Sequence, residues 1–202
     1  MQRLEGLINS YFTFHYDVGC AIGLIIFCGY MFLIRRRKKS QGQSVSRKEM
    51  LCGLALSIYL VLLLGGTLLN REIGEEYMVE WIPFWSYADL LKEWSEPLAI
   101  QMVYNVLVFI PWGILIPEVF AAKRRFRFVV LSAASVSLLI EVLQLVFKLG
   151  LFEFDDVFHN TLGAVIGYGI WRGIKKIKEN KDLRCYHRLL QNRKNIVEWE
   201  SR

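Results

Sequence analysis

Apolar residues occur in five long runs along the chain, and charged residues collect between them. Each run approaches the roughly 20 residues that a helix needs to cross about 30 Å of hydrocarbon. The pattern therefore predicts an all-α fold, a polytopic membrane bundle with about five transmembrane helices. The runs are Val18–Ile34, Met50–Leu69, Leu98–Val119, Phe128–Leu149 and Val157–Ile174. We expect one membrane-embedded domain over residues 1–174, followed by a basic cytoplasmic tail over 175–202.

Composition and charge placement agree with a membrane protein and predict its orientation. The chain is 54% hydrophobic, with a mean hydropathy of +0.31, which is too apolar for an ordinary soluble domain. All but four of its 25 Lys and Arg residues lie in residues 35–49, 120–127 and the segment from 172 onward. Since cytoplasmic loops carry an excess of Lys and Arg, we predict an outside N-terminus and an inside C-terminus. Basic residues distributed in this way argue against a nucleic-acid partner.

Five polar residues stand where this topology places lipid or its border. Ionisable groups at the centre of a membrane cost roughly 2.5–3.5 kcal/mol on insertion scales, and they persist where they pair, line a wet cavity or do chemistry. With the predicted topology, all five lie in the outer half of the membrane. They are Asn105, Glu141, Gln144, Asp156 and Asn160.

Glu141 is the most informative of the five because it lies about 12 Å deep at 1.5 Å per residue. No basic residue lies near it in its own span. The carboxyl group is therefore protonated, paired with another helix or exposed to a wet cavity. Two interpretations remain open: the polar residues only join the helices by hydrogen bonds, or they also bind a ligand.

Helix phase places several of these residues on shared faces. Glu141 and Gln144 are three residues apart and point the same way. One face at the start of the fifth span carries polar groups at its outer end and a Gly-x-x-x-Gly packing surface further along the helix. This face comprises Asp156, Asn160, Gly163 and Gly167. On the third span, Gly113 shares a face with Asn105. Asp155 and Asp156 precede the fifth span, where acids favour a helix N-terminus.

The segment over residues 70–97 mixes aromatic and acidic side chains. Pro83 excludes a continuous helix, and we predict an external loop with a short amphipathic helix near Tyr87–Trp94. Such aromatic residues favour the membrane–water boundary. They form either a belt that anchors the bundle or the rim of an outward-facing pocket. The predicted rim residues are Trp81, Phe84, Trp85 and Tyr87.

Three motifs in order resemble the VanZ-like family of bacterial membrane proteins, over roughly residues 50–174. They read Asn105-x-x-x-Phe109-x-Pro111-x-Gly113-x-x-x-Pro117, then Glu141-x-x-Gln144, then Asp155-Asp156-x-x-x-Asn160-Thr161-x-Gly163-Ala164-x-x-Gly167. Phe154 departs from the family pattern, as does the lack of a basic residue just before the acidic pair. The resemblance implies a cell-envelope role in the plasma membrane of a bacterium, Gram-positive by expectation. It also implies a link to low-level resistance to the glycopeptide teicoplanin.

Three classes of function fit these residues. The first is binding of a lipid-linked wall precursor or a lipoglycopeptide by the polar cluster, with membrane lipids around it. The second is an integral membrane enzyme in which Glu141, Asp155 and Asp156 are candidates for acid–base catalysis. A cation held by Asp155, Asp156 and His159 is a weaker possibility, and we expect no cofactor. The third, a transporter, is disfavoured because only Glu118 is polar in the inner half of the spans. The oligomeric state is left open.

Overall fold

The computed structural model describes residues 16–69, 71, 73–120 and 124–200, and it confirms an all-α fold. The expected external N-terminus at residues 1–15 lies outside these described residues. A π-helical turn, Gly65–Leu69, extends the second helix. The elements in chain order are α1 (Tyr16–Ser40), α2 (Arg47–Leu64), β1 (Met78–Glu80), α3 (Trp85–Lys92), α4 (Glu96–Val119), α5 (Phe126–Val146), β2 (Leu151–Glu153) and α6 (Phe154–Glu200).

Four helices are long and apolar enough to cross a membrane. They cover Val18–Ser40, Arg47–Leu69, Glu96–Val119 and Phe126–Val146. The fifth predicted span, 157–174, lies in α6 and is not among these four. It is interrupted by His159, Asn160 and several glycines, which lower its average hydropathy. Helix α6 then continues through the expected domain boundary at residue 174 and into the basic tail.

Local signals explain where two of the helices form. Ser46 and Glu49 make a capping box at the start of α2, in which each side chain accepts from the backbone N–H of the other residue. Helix α4 begins with Pro97 in its first turn, where a missing N–H costs nothing. Pro111 and Pro117 lie inside α4, which continues as a helix through both.

Helices α4 and α6 run parallel and pack closely through their glycines. A Cβ added at Gly163 would collide with the carbonyl oxygen of Val106, and one at Gly167 with that of Ile110. Gly113 of α4 meets the backbone of α6 in the same way. All three glycines of the predicted packing surfaces therefore lie in the α4–α6 contact. Around this contact the core contains Phe109, Trp112, Ile116, Val129, Ala133 and Ala164.

A small parallel sheet, which the sequence did not predict, marks one end of the bundle. Strands β1 and β2 pair in register from Met78↔Leu151 to Glu80↔Glu153. The pairing holds the segment between α2 and α4 against the connection between α5 and α6. We call this the β end. The opposite end, where residues 35–49, 124–127 and 172–184 lie, is the basic end.

Candidate functional site: the polar cluster at the β end

Glu141 is buried, and its partners come from the segments that close the β end. Its Oε2 accepts a hydrogen bond from the backbone N–H of Glu153 at 3.2 Å. The carboxylates of Asp156 and Glu153 act on it electrostatically, and Arg71 opposes them. Glu141 and Asp156, both predicted site residues, are therefore brought together.

Glu153 is a member of this carboxyl group that the sequence analysis did not single out. Its Oε2 accepts from Gln101 Nε2 at 2.6 Å, and its side chain also hydrogen-bonds that of Asp156. Burial, followed by the charge and the hydrogen bond of Asp156, raises the pKa of Glu153 to about 8. Glu153, which forms a carboxyl pair with Asp156, thus holds a proton near neutral pH. Glu153 reaches this position because β2 pairs with β1, and neither short strand has a clear sequence signal.

Asp155 faces a different partner from its neighbour Asp156. Its Oδ1 accepts from the backbone N–H of Phe84 at 2.5 Å, and its Oδ2 accepts from Ser86 N at 3.0 Å and Ser86 Oγ at 2.7 Å. Asp155 therefore caps the N-terminus of α3, which has no capping side chain of its own. We call residues 77–94 the aromatic segment. Through these contacts, Asp155 holds this segment against the start of α6.

His159, a weak metal candidate, is occupied by an aromatic partner. Its Nε2 lies 2.9 Å from the hydroxyl oxygen of Tyr87, and the side chain is 2% exposed. Among the residues that the structure describes, no group of three His, Cys, Asp or Glu side chains is arranged to hold a metal ion. The predicted set Asp155, Asp156 and His159 is thus divided between the α3 cap, the carboxyl pair and Tyr87.

The remaining predicted residues connect neighbouring elements. Gln144 Nε2 donates to the carbonyl oxygen of Thr67 at 2.9 Å and ties α5 to the π-helical turn. Asn160 Nδ2 donates to Ser137 Oγ at 2.8 Å and ties α6 to α5. The five polar residues therefore share one end of the bundle without forming one continuous hydrogen-bond network.

Several buried polar atoms in this region have no hydrogen-bond partner within the described part of the chain. They are Trp85 Nε1, Asn105 Nδ2, His159 Nδ1 and Asn160 Oδ1. Each such atom costs about 1–3 kcal/mol unless something satisfies it. Asn105 precedes Val106, which faces Gly163, and Gly163 lies about one turn from Asn160. The two amides therefore lie at a similar level of the α4–α6 pair, where water or a polar ligand would satisfy them.

The aromatic segment covers the β end with one face anchored and one face exposed. Trp81 packs on Phe152 at 5.1 Å between ring centroids, and Phe84 packs on Phe158 at 5.5 Å. Trp81 and Phe84 are nevertheless more than half exposed, whereas Trp85 is partly buried. The predicted rim residues therefore lie above the polar cluster, next to the Tyr87–His159 contact.

The basic end is held by an ion network that joins three helices. Glu118 of α4 lies 2.8 Å from Lys48 Nζ of α2 and 3.0 Å from Lys175 Nζ of α6. It also accepts from Trp171 Nε1 at 3.0 Å. The only acid expected in the inner half is thus neutralised by two lysines and is committed to structure.

The family match falls on the part of the chain that builds this site. The VanZ/LLP1 family model matches residues 50–176, more than half of the chain. The chain belongs to the VanZ/LLP1 family. This match confirms the resemblance seen in the motifs, and with the four apolar helices it identifies a VanZ-like membrane protein.

A curated relative and the known structures define how far similarity extends. Protein VanZ of Enterococcus faecium is 31% identical over 86 residues, which are 41% of this chain and 51% of that protein. The chain thus spans about half the length of this relative. No solved structure matches the chain.

Proposed function

We propose that this VanZ-like protein binds the polar head of an amphiphilic envelope ligand at its β end, in the bacterial plasma membrane. The observation that carries the proposal is the set of buried, unpaired polar atoms at the end of the bundle that also holds Glu141 and Asp156. Polar residues that served only to join the helices would be expected to satisfy one another's hydrogen-bond donors and acceptors. A head group with hydroxyl, amide or amine groups would supply the missing partners.

The proposed orientation makes this site accessible from outside the cell. Because cytoplasmic loops carry an excess of Lys and Arg, the basic end should face the cytoplasm. The β end then lies at the outer leaflet. The aromatic segment then lies at the membrane–water boundary and borders the entry route for a ligand with an acyl chain. The proposed ligands are a lipid-linked wall precursor or a lipoglycopeptide such as teicoplanin. Through such binding the protein would contribute to teicoplanin resistance.

A binding measurement on the reconstituted protein tests this proposal. The probes are teicoplanin, which has an acyl chain, and vancomycin, which has none, each titrated onto protein in nanodiscs. We expect saturable teicoplanin binding, weakened about tenfold in Asn105→Ala and Asn160→Ala, since an unmet hydrogen bond costs on the order of 1 kcal/mol.

The α5 serines supply a matched control for the same measurement. Ser137 is buried and holds Asn160, whereas Ser135, two residues earlier, is exposed. Ser137→Ala should weaken binding and Ser135→Ala should leave it unchanged. Equal affinity in all four variants, or no saturable binding to the wild-type protein, would reject teicoplanin binding at this site.

The carboxyl pair favours a second candidate, an enzyme acting on a lipid-linked precursor. Glu153 of this pair holds a proton near neutral pH, as a general acid must. Incubation of the reconstituted protein with a lipid-linked disaccharide, followed by mass spectrometry, distinguishes turnover from binding. Product formation that disappears in Asp156→Asn would support this candidate, and an unchanged substrate would oppose it.

A further inference from the structure

We infer that the head group accepted at the β end carries a primary ammonium group beside hydroxyl oxygens, as in an amino sugar, rather than a phosphate. This inference rests on the proposed function and specifies the chemical class of its ligand. It is carried by two independent observations: the charges that surround the cluster and the unpaired amide groups beneath them.

The charges around the cluster are unfavourable for an anion. Three carboxyl groups, from Glu141, Glu153 and Asp156, lie within electrostatic reach of one another. Within the described part of the chain, Arg71 is the cation whose charge reaches Glu141. Phosphate sites are typically lined by Arg or Lys side chains that pair with the phosphate oxygens. A carboxyl cluster instead stabilises a cation, which displaces the proton held by Glu153, because opposite charges attract strongly where water is excluded.

An unpaired buried acceptor points to the same class of ligand. Asn160 is 5% exposed, and its Oδ1 has no partner although its Nδ2 donates to Ser137. Asn160 lies one helical turn from Asp156 on the same face, and Ser137 lies one turn from Glu141. The Asn160 side chain, with its free oxygen, therefore lies about one helical turn from the level of Glu141 and Asp156. An ammonium group is a donor with three N–H bonds, so it satisfies this oxygen and the carboxylates together.

An unpaired donor requires an oxygen on the same ligand. Asn105 Nδ2 is buried without a partner at a level similar to that of Asn160. It needs an acceptor, which an ammonium group lacks and a neighbouring hydroxyl or ring oxygen supplies. The rings of the aromatic segment above the cluster also suit a sugar face or a cation.

Three probes that share a dodecyl chain separate head-group chemistry from apolar attraction. They are dodecyl 2-amino-2-deoxy-glucoside, dodecyl glucoside and dodecyl phosphate. Each is titrated onto wild-type protein in nanodiscs of phosphatidylcholine, which has no net charge to concentrate the amine. We expect the amine to bind about tenfold tighter than the neutral glucoside, or about 1.4 kcal/mol, and the phosphate to bind weakest.

Variants identify the groups that produce the preference. Glu141→Gln should reduce the preference for the amine over the neutral glucoside to about threefold or less. Asp156→Asn tests the same group if Glu141→Gln does not remain monodisperse. Ser135→Ala on the exposed side of α5 should keep the wild-type preference.

The outcomes distinguish failure of this inference from failure of the proposed function. Teicoplanin binding together with equal or tighter binding of the neutral or phosphate probe would overturn the inference and leave the proposed function standing. An amine preference that persists in both carboxyl variants would also overturn it. If neither teicoplanin nor any of the three probes binds, both proposals fail.

Discussion

Asp155 connects the first turn of α6 to the start of α3 by accepting three hydrogen bonds with one carboxylate. Phe84, at the start of α3, has a positive φ of 62°, which is uncommon for an aromatic residue. The Asp155 contacts hold the backbone in this unfavourable conformation. Together with the β1–β2 pairing, Asp155 thus holds the aromatic segment against the β end.

Asp155→Ala should release the aromatic segment without unfolding the bundle. Hydrogen bonds to a charged group contribute about 1.5–3 kcal/mol, so the free energy of local opening should fall by about 2 kcal/mol. Hydrogen exchange by mass spectrometry would show faster exchange over residues 78–93. Asp89→Asn, on the exposed face of α3, is the control. Unchanged exchange in Asp155→Ala would show that the cap does not hold the segment.

Glu153 should make stability depend on pH. Its pKa is raised from the ordinary value of 4.5 to about 8, so the folded protein keeps a proton that the unfolded chain has released. The stabilisation is therefore complete below about pH 4.5 and is lost as pH rises through about 8. Thermal unfolding in detergent should show a melting temperature that falls over this range.

Glu153→Gln should flatten that pH profile because glutamine does not titrate. Glu93→Gln, an exposed change at the end of α3, should retain the wild-type slope. The opposite pattern, a steep profile in Glu153→Gln, would show that another group controls it. The carboxyl groups that act on Glu153 are those of Asp155 and Asp156, and its neighbour Glu141 is in electrostatic reach of Arg71.

At this scale the sequence predicted a shared region but not the individual contacts. Depth placed Glu141 and Asp156 in the same half of the membrane, and helix phase grouped Gln144 with Glu141 and Asn160 with Asp156. Neither revealed that Glu153 joins them or that Asp155 reaches α3, a contact between residues about 70 positions apart. Those contacts depend on how two loops fold over the helix ends, which periodicity does not encode.

At the scale of elements, the α4–α6 contact depends on backbone proximity. Glycine at three positions lets the two helices approach until carbonyl groups lie where Cβ atoms would be. The sequence predicted the long helices well because their apolar runs are close to the length of a span. It missed β1 and β2, which have three residues each and are stabilised by each other rather than by any local pattern.

Gly163→Ala should destabilise the bundle far more than the same change at Gly169. A methyl group at Gly163 meets the Val106 backbone, whereas at Gly169 it meets nothing within 4 Å. Both residues lie in α6, so the difference in helix propensity cancels. Overpacking of this kind costs about 1–3 kcal/mol, which a thermal or denaturant titration resolves. Similar stabilities for the two variants would show that α4 and α6 separate at little cost.

For the whole molecule, the parallel pairing of α4 and α6 bears on the number of membrane crossings. Gln101 meets Glu153 at the β end, and Glu118 meets Lys175 at the basic end. Helix α6 therefore accompanies α4 from one end of the bundle to the other. If α4 crosses the membrane, α6 crosses beside it despite its lower hydropathy, which accords with five spans.

Cysteine labelling in intact cells tests this topology. In a variant without the native cysteines, a membrane-impermeant maleimide should label Asp89→Cys from outside. It should label Gln43→Cys and Lys181→Cys only after permeabilisation, because both lie on the basic side. Outside labelling of Gln43→Cys would reverse the orientation. Outside labelling of Lys181→Cys alone would show that α6 does not cross.

The β1–β2 pairing also has a consequence for the order in which the protein assembles during synthesis. β1 and α3 leave the ribosome long before β2 and Asp155, which are their partners. Until about residue 155 has been made, the aromatic segment has nothing to pair with and its rings face lipid or water. The β end is therefore completed only after α6 has begun to form, and a nascent chain that stops short of α6 should leave the aromatic segment open to proteolysis or to chaperones.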